Sequence, residues 1–310
     1  MNLYKSSLRN VYRYILEDIM TSGNYSSPKN DGTINRKIGN NYIYDACIEL
    51  YNNGEDISNL LYIPGRSFSL VYALNELLMM FSHEDKLKYF TSFNSNIANF
   101  SDNGEILRGN YGKRINSING FEKVVKLLSD DKNSRQAVIP IYNSTDVAAN
   151  SKDIPCTLFM NFRVNGDQLD MVVYMRSNDA IWGLPYDVFN FTNIQKVLSR
   201  TLNLKQGRYI HHVSNLHVYE NHFDLVNKIL EEDKLQLCSI YTNYNLKECR
   251  EKAEVYTQTE SFSYTGDCFN LLDIEKCFRE YGKTCKDSLD YYYKVFPDAK
   301  YFTKRYLQSI

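Results

Sequence analysis

The chain lacks several features, and each absence excludes something. No run of about 18 consecutive apolar residues occurs, so no membrane-spanning helix is expected. Neither sign of charge dominates. The 36 Lys and Arg stand against 37 Asp and Glu, a net charge of −1, which offers no basic field to a nucleic-acid backbone. There is no CxxC pair. The seven cysteines, Cys47, Cys156, Cys238, Cys249, Cys268, Cys277 and Cys285, are dispersed. An odd, scattered set argues for reduced thiols and against a disulfide scaffold or a metal site. The first twenty residues carry interspersed charges and no secretory h-region, so a cytoplasmic location is expected. No internal repeat or low-complexity segment is present.

What is present centres on the stretch from Asp153 to Asp187. Ile154-Pro155 ends a loop and presents Cys156. Two β-rich runs follow, Leu158–Val164 and Leu169–Arg176, around Asn165-Gly166, a dipeptide suited to a tight hairpin turn. The second run delivers Arg176, Ser177, Asn178 and Asp179. Gly183-Leu184-Pro185 then breaks the chain, with Asp187 at the break, where it suits a helix N-cap. A thiol, a guanidinium and two carboxylates thus gather at the ends of a short sheet, suited to bind and attack a small anionic electrophile.

Helical spacing predicts helices over Leu3–Met20, Ser67–Ser82, Gly120–Asp131 and Val188–Leu204. Glu76 falls inside the apolar Ser67–Ser82 run, where a carboxylate is costly unless paired or functional. Thr91–Arg114 reads as irregular. The AVIPIYN run reads as a strand with Pro140 at an edge or bulge. Tyr209–Val213 reads as a strand, followed by Ser214–Tyr219 running into a helix through Glu232. Leu235–Ile240 and Glu254–Phe262 read as further strands, and the chain beyond Leu271 as mostly helical. Ser22–Asn41 is polar and partly basic. It suits a plain surface loop or a mobile phosphate clamp, with Arg36 as the clamp candidate. The length suits one large domain or two modest ones.

The ordered set of motifs resembles the thymidylate synthase superfamily. It comprises LNELL around Glu76, NYGK around Tyr111, NSRQ around Arg135, PCT around Cys156, YMRSND around Arg176, GLPYD ending at Asp187 and LHVYENH around His217. Two departures point to its cytidylate branch. Thr157 follows the cysteine where synthases carry His, and Asp187 stands where they carry Asn. The resemblance implies an α/β fold: a twisted, mostly antiparallel sheet with helices packed on one face. It implies a catalytic domain over residues 1–257 and leaves 258–310 as a helical extension of unknown role.

The resemblance also implies roles. Cys156 would add to C6 of a pyrimidine, with Tyr111 beside it. Glu76 would be the general acid/base and would face the folate as well. Arg176 and Ser177 would hold the 5′-phosphate together with Arg135 from the second subunit of a homodimer. His217 and Tyr219 would hold the sugar hydroxyls, and Asp179 the folate pterin. The donor would be 5,10-methylenetetrahydrofolate, with no metal, and the product a 5-hydroxymethyl cytidylate. A uridylate-using synthase or hydroxymethylase is the alternative, and an inactive nucleotide-binding paralogue a further one. The Asp has a physical rationale of its own: cytosine reverses the hydrogen-bond edge that an Asn reads in uracil. The sequence does not separate ribose from deoxyribose.

Overall fold

A computed structural model describes residues 2–28, 38–51, 56–63, 65–66, 69–232, 234–238 and 244–259. Arg36, the extension from 260 onward and the cysteines beyond Cys249 lie outside the described residues.

The chain opens with strand β1 (Asn2–Lys5) and helix α1 (Leu8–Ser22), not one continuous helix. Leu8, Val11, Tyr12, Ile15, Leu16 and Ile19 are buried at helical spacing, whereas the residues before Ser6 pair with a neighbouring strand. The polar stretch that follows contains β2 (Asn24–Ser26), then β3 (Asn40–Leu50). Next come β4 (Leu60–Tyr62), α2 (Leu70–Met80), the short α3 (Lys88–Thr91), α4 (Tyr111–Ser117) and α5 (Gly120–Asp130). Strands β5 (Val138–Pro140), β6 (Thr157–Asn165), β7 (Gln168–Met175) and β8 (Asn178–Asp179) lead into α6 (Leu184–Thr201). The chain goes on through β9 (Lys205–Tyr219), α7 (Phe223–Glu232), β10 (Gln236–Cys238) and α8 (Leu246–Thr259).

The main sheet runs β1-β3-β9-β7-β6-β5, with β2 added to β3 and β8 to β9. It is mixed. Its pairings β2–β3, β3–β9, β5–β6 and β6–β7 are antiparallel, while β1–β3, β7–β9 and β8–β9 are parallel. Pro140 sits on the edge strand β5, where no ladder donor is missed. The hairpin register Asn165↔Gln168 puts Gly166-Asp167 in the turn, one residue later than the sequence suggests. Gly166 takes φ +63 there, the conformation glycine supplies most cheaply.

The two faces differ. Met160, Val173, His211 and Ile48, in register across β6, β7, β9 and β3, are all buried against the helical side. One residue along, Phe159, Tyr174 and His212 stack as a ladder on the opposite face (4.8 and 4.4 Å between ring centroids). Cys47 Sγ follows, 3.8 Å from His212 Nε2. The central helix α6 is buried on nearly every side. Its interior polar groups are therefore tied to backbone: Gln195 Nε2 donates to Leu169 O (2.8 Å) and Arg208 O (2.9 Å), joining β7 to β9.

Two further sequence expectations are corrected. Tyr209–Val213 and Ser214–Tyr219 form one strand, because β9 stays paired with β3 as far as Tyr219↔Asn40. The described part of Glu254–Phe262 is helical. Leu246, Cys249, Ala253 and Tyr256 are buried at helical spacing, and that periodicity outweighs local strand preference.

Helix α4 crosses α2 at Gly112, where a Cβ would lie 2.0 Å from Met79 O. The obstacle is backbone, so no rotamer relieves it. Gly112→Ala is expected to cost about 3 kcal/mol of stability, read as a lowered denaturation midpoint. An unchanged midpoint would show that the two helices separate freely.

Candidate active site

Cys156 lies at the start of β6, held by the end of β7: Arg176 N donates to Cys156 O (2.8 Å). The Arg176 side chain turns back over the same loop, with Nε on Pro155 O and Nη2 on Ile154 O, both at 2.9 Å. The guanidinium therefore sits beside the thiol. Burial nonetheless pushes the Cys156 thiol up. Arg176 pulls it down, and Asp187 and Asp153 push it further up. Desolvation thus outweighs the pull of the neighbouring Arg176 cation. Arg135 is exposed between α5 and β5.

Tyr111 opens α4, and its hydroxyl accepts from the Thr157 N–H at 3.2 Å. Its ring stacks over Phe191 of α6 (6.4 Å, 10° between planes). A helix start and the residue after Cys156 are thereby locked together. The Thr157 side chain is buried, and its Oγ1 has no hydrogen-bond partner among the described residues.

Glu76 faces this group from α2. Tyr72, one turn earlier, donates its hydroxyl to Glu76 Oε1 at 2.5 Å, and Asn190 Nδ2 donates to Oε2 at 3.4 Å. Desolvation drives the Glu76 carboxyl up to about 7, against the opposing pull of Tyr72, Asn190 and Arg66. Asp187 is driven further, to about 8, first by desolvation and then by Glu76, with a hydrogen bond from Asn178 opposing. Two interacting carboxyls with raised values near neutrality suit proton transfer.

Asp187 is not a helix cap. Gly183 is the N-cap, Pro185 falls in the first turn where its missing N–H costs nothing, and Asp187 N donates to Gly183 O (2.9 Å). The Gly-Leu-Pro run therefore begins the helix; it does not break it. Asp187 is left with its side chain free to face the site.

His217 is buried at the far end of β9, with Nδ1 lacking a partner among the described residues. Its ring meets Tyr219 edge-on at 4.8 Å, as expected for i, i+2 positions on one side of a strand. Asp179 pairs beside His217. Its Oδ1 accepts from Ile181 N (2.7 Å) and Trp182 N (3.2 Å), which shapes the turn into α6. Ser177 is half-buried between Arg176 and β8.

The structure adds residues that the sequence did not single out. Arg66 donates Nη2 to Trp182 O (3.1 Å) and lies over the rings of Trp182 (4.9 Å) and Tyr186 (4.5 Å). Trp182, 41% exposed, donates Nε1 to His222 Nε2 at 3.0 Å. Tyr72 was detectable from its i, i+4 spacing to Glu76. Asn190 and Arg66 carried no local signal, and Asn178 was named only as part of the YMRSND run, with no role.

Residues 10–265 match the sequence model of the family described as thymidylate synthase. The chain belongs to the thymidylate synthase family. Within it, the chain is 26% identical over 225 residues to a deoxyuridylate hydroxymethyltransferase of Bacillus phage SP01, covering 67% of this chain and 56% of that protein. It is 29% identical over 177 residues to a deoxyuridylate hydroxymethyltransferase of Pseudomonas phage M6 (55% and 49%). It is 30% identical over 137 residues to a thymidylate synthase of Mesoplasma florum (43% and 47%). The chain spans about half the length of these relatives.

Proposed function

We propose that the protein is a folate-dependent cytidylate hydroxymethylase, converting a cytidine monophosphate to its 5-hydroxymethyl derivative. The observation that carries this reading is Asp187. With its carboxyl at about 8, it is an acid at neutral pH and offers one O–H donor and one carbonyl acceptor. That pair suits N3 and the 4-amino group of cytosine. Thr157, in place of the synthases' His, agrees with the same branch.

Arg176, Ser177 and Arg135 of a second copy would bind the 5′-phosphate, joined by Arg36. Guanidinium forks match phosphate oxygens. His217 and Tyr219 would hold the sugar. The exposed Trp182 face, backed by Arg66 and next to Asp179, fits a flat polar heterocycle such as a pterin. A reduced folate bound there supplies the one-carbon unit. The Cys156 thiolate adds to C6 and makes C5 the nucleophile that takes up that unit. The C5 proton would then leave, the tetrahydrofolate amine would depart as its bond to the transferred carbon breaks to leave an exocyclic methylene, water would add to that methylene, and the electron pair returned to the ring would expel Cys156 from C6. Glu76 serves the proton transfers and Tyr111 fixes the strand beside the nucleophile. The ladder of Phe159, Tyr174 and His212 would meet a second copy across the open sheet face.

The relatives named for deoxyuridylate favour a second reading, hydroxymethylation of a uridylate. One panel decides: CMP, dCMP, UMP and dUMP with methylenetetrahydrofolate, scored by product mass. A gain of one hydroxymethyl group on a cytidylate supports the proposal. Product from uridylates alone overturns it, and no product from any of the four supports an inactive paralogue.

Two variants test the roles. Glu76→Gln is expected to lower turnover about 10²–10⁴-fold with substrate affinity kept, because the amide preserves shape and loses proton transfer. Turnover close to wild type would make the carboxylate structural. Mixing Arg135→Ala and Cys156→Ser subunits should restore activity, because one site of each heterodimer then carries neither lesion. No recovery after confirmed subunit exchange counts against phosphate binding in trans.

A further inference from the structure

Trp182 is the one tryptophan of the chain. It stands between β8 and α6, 41% exposed. Its backbone N–H donates to Asp179 Oδ1 (3.2 Å), and its carbonyl accepts from Arg66 Nη2 (3.1 Å). The Arg66 guanidinium covers one face of the indole, 4.9 Å from the ring centroid. The exposure therefore belongs to the other face. The indole is part of the site already described: Arg66 also lies 4.5 Å from the Tyr186 centroid, Tyr186 meets Tyr72 edge-on at 5.4 Å, and Tyr72 donates to Glu76 Oε1. Backbone bonds leave the two side-chain torsions of a tryptophan unset. An exposed indole without a polar tether changes rotamer within picoseconds to nanoseconds.

The tether comes from 40 positions further along the chain. Trp182 Nε1–H donates to His222 Nε2 at 3.0 Å, and the two rings meet edge-on, 5.8 Å between centroids at 66°. An indole nitrogen only donates, so His222 Nε2 is the accepting lone pair and the neutral ring carries its proton on Nδ1. That Nδ1 is buried and has no partner among the described residues. A buried donor left unpaired is destabilising, so the bond to the indole is kept although it leaves the rest of the ring unsatisfied. The support behind His222 is firm. It ends the 3₁₀ turn Glu220–His222 after β9, where Glu220 N donates to Gly39 O (2.9 Å) and Glu220 Oε1 accepts from the Tyr25 hydroxyl. The pairing Asp179↔His217 between β8 and β9 brings that turn beside Trp182.

We propose that His222 is a positioning residue for the folate: its Nε2 holds the indole of Trp182 so that the face opposite Arg66 stays presented to the flat heterocycle of the folate. The inference rests on the reading of Trp182 as the surface that takes up a pterin, and adds the group that keeps that surface in one orientation. His222 touches no reactant. It acts by pre-organisation, because a side chain already held loses less freedom when its ligand arrives. The effect therefore falls on folate affinity, while the nucleotide, assigned to Arg176, His217 and Tyr219, is bound without it.

The test titrates tetrahydrofolate by calorimetry into protein saturated with whichever of CMP, dCMP, UMP and dUMP it binds, in wild type, His222→Phe, Trp182→Phe and the double variant. His222→Phe keeps an aromatic edge and removes the acceptor. Its dissociation constant for tetrahydrofolate should rise about fivefold, the value of one hydrogen bond, with nucleotide affinity unchanged. Trp182→Phe removes the N–H, so adding His222→Phe to it should weaken folate binding no further. Additive effects, or a folded His222→Phe protein with wild-type folate affinity, overturn the proposal. Because Trp182 is the sole tryptophan, its emission reads the tether without turnover: its anisotropy should fall in His222→Phe, and an unchanged anisotropy overturns the tether. If His222→Phe does not fold, His222→Gln and His222→Asn decide. The longer amide reaches the place of Nε2 and should keep wild-type folate affinity, the shorter one should lose it, and equal affinities overturn the proposal. Wild-type protein that does not bind tetrahydrofolate overturns the folate reading itself, an outcome distinct from unchanged affinity in the variants.

Discussion

Cys156→Ser is expected to lower hydroxymethyl transfer by about 10³-fold or more, with the dissociation constant for the nucleotide nearly unchanged. The substitution removes one sulfur from a loop whose shape is set elsewhere. Arg176 N holds the Cys156 carbonyl, Arg176 Nε and Nη2 hold Pro155 and Ile154, and Tyr111 holds the Thr157 amide. None of these contacts involves Sγ, so the phosphate and sugar contacts should survive. What is lost is a group that can ionise and then leave. A serine hydroxyl stays protonated at neutral pH. The thiol is itself pushed up by burial, so its reaction with an alkylating reagent should quicken as pH rises, and Arg176→Ala should slow it by removing the cation that pulls the value down. Product mass gives turnover and calorimetry gives affinity. A serine variant within tenfold of wild-type turnover would remove Cys156 from the mechanism.

The parts of this site that were legible in the sequence are local ones. Cys156, Arg176, Asp179 and Asp187 lie on a hairpin and the helix after it, so short motifs and turn chemistry were enough to bring them together. Residues whose meaning depends on the parallel pairing of β7 with β9 were not legible. Asn178 and His211 are 33 positions apart and meet only because that pairing exists. The sequence shows only a third of strand β9, Tyr209–Val213 out of Lys205–Tyr219, because Ser214 and Asn215 interrupt its apolar alternation, yet pairing with β3 continues through Asn215↔Tyr44. Residues Glu254–Phe262 look strand-like because Val255, Tyr256 and Phe262 favour extended backbone. Burial of every third or fourth residue from Leu246 decided the matter for the described part. The raised values of Glu76 and Asp187 likewise follow from desolvation, a property of the packed site and not of either residue's neighbours in sequence.

Asp187→Asn is expected to shift base preference toward uridylate, chiefly by lowering cytidylate turnover. Under the proposed mechanism the acid would deliver a proton to N3 as Cys156 adds to C6, and an amide could not. A loss of about 10²-fold in kcat for the cytidylate is expected, with a smaller change in KM, because the amide still donates to N3 and accepts from the amino group. The same substitution has a signature in stability. Asp187 rises from its ordinary 3.8 to about 8 on folding, and Glu76 from 4.5 to about 7. Between those limits the folded chain holds protons that the unfolded chain has released, so the stability tied to these acids is full below about pH 4 and is lost as pH climbs through 7 to 8. The amide introduced by Asp187→Asn cannot ionise, so the variant's denaturation midpoint should gain on wild type as pH rises from 5 to 8. A kcat/KM ratio between the two bases that does not move would falsify the assignment of Asp187 to the base edge. A wild-type midpoint with the same pH slope as the variant's would instead place its carboxyl in contact with water.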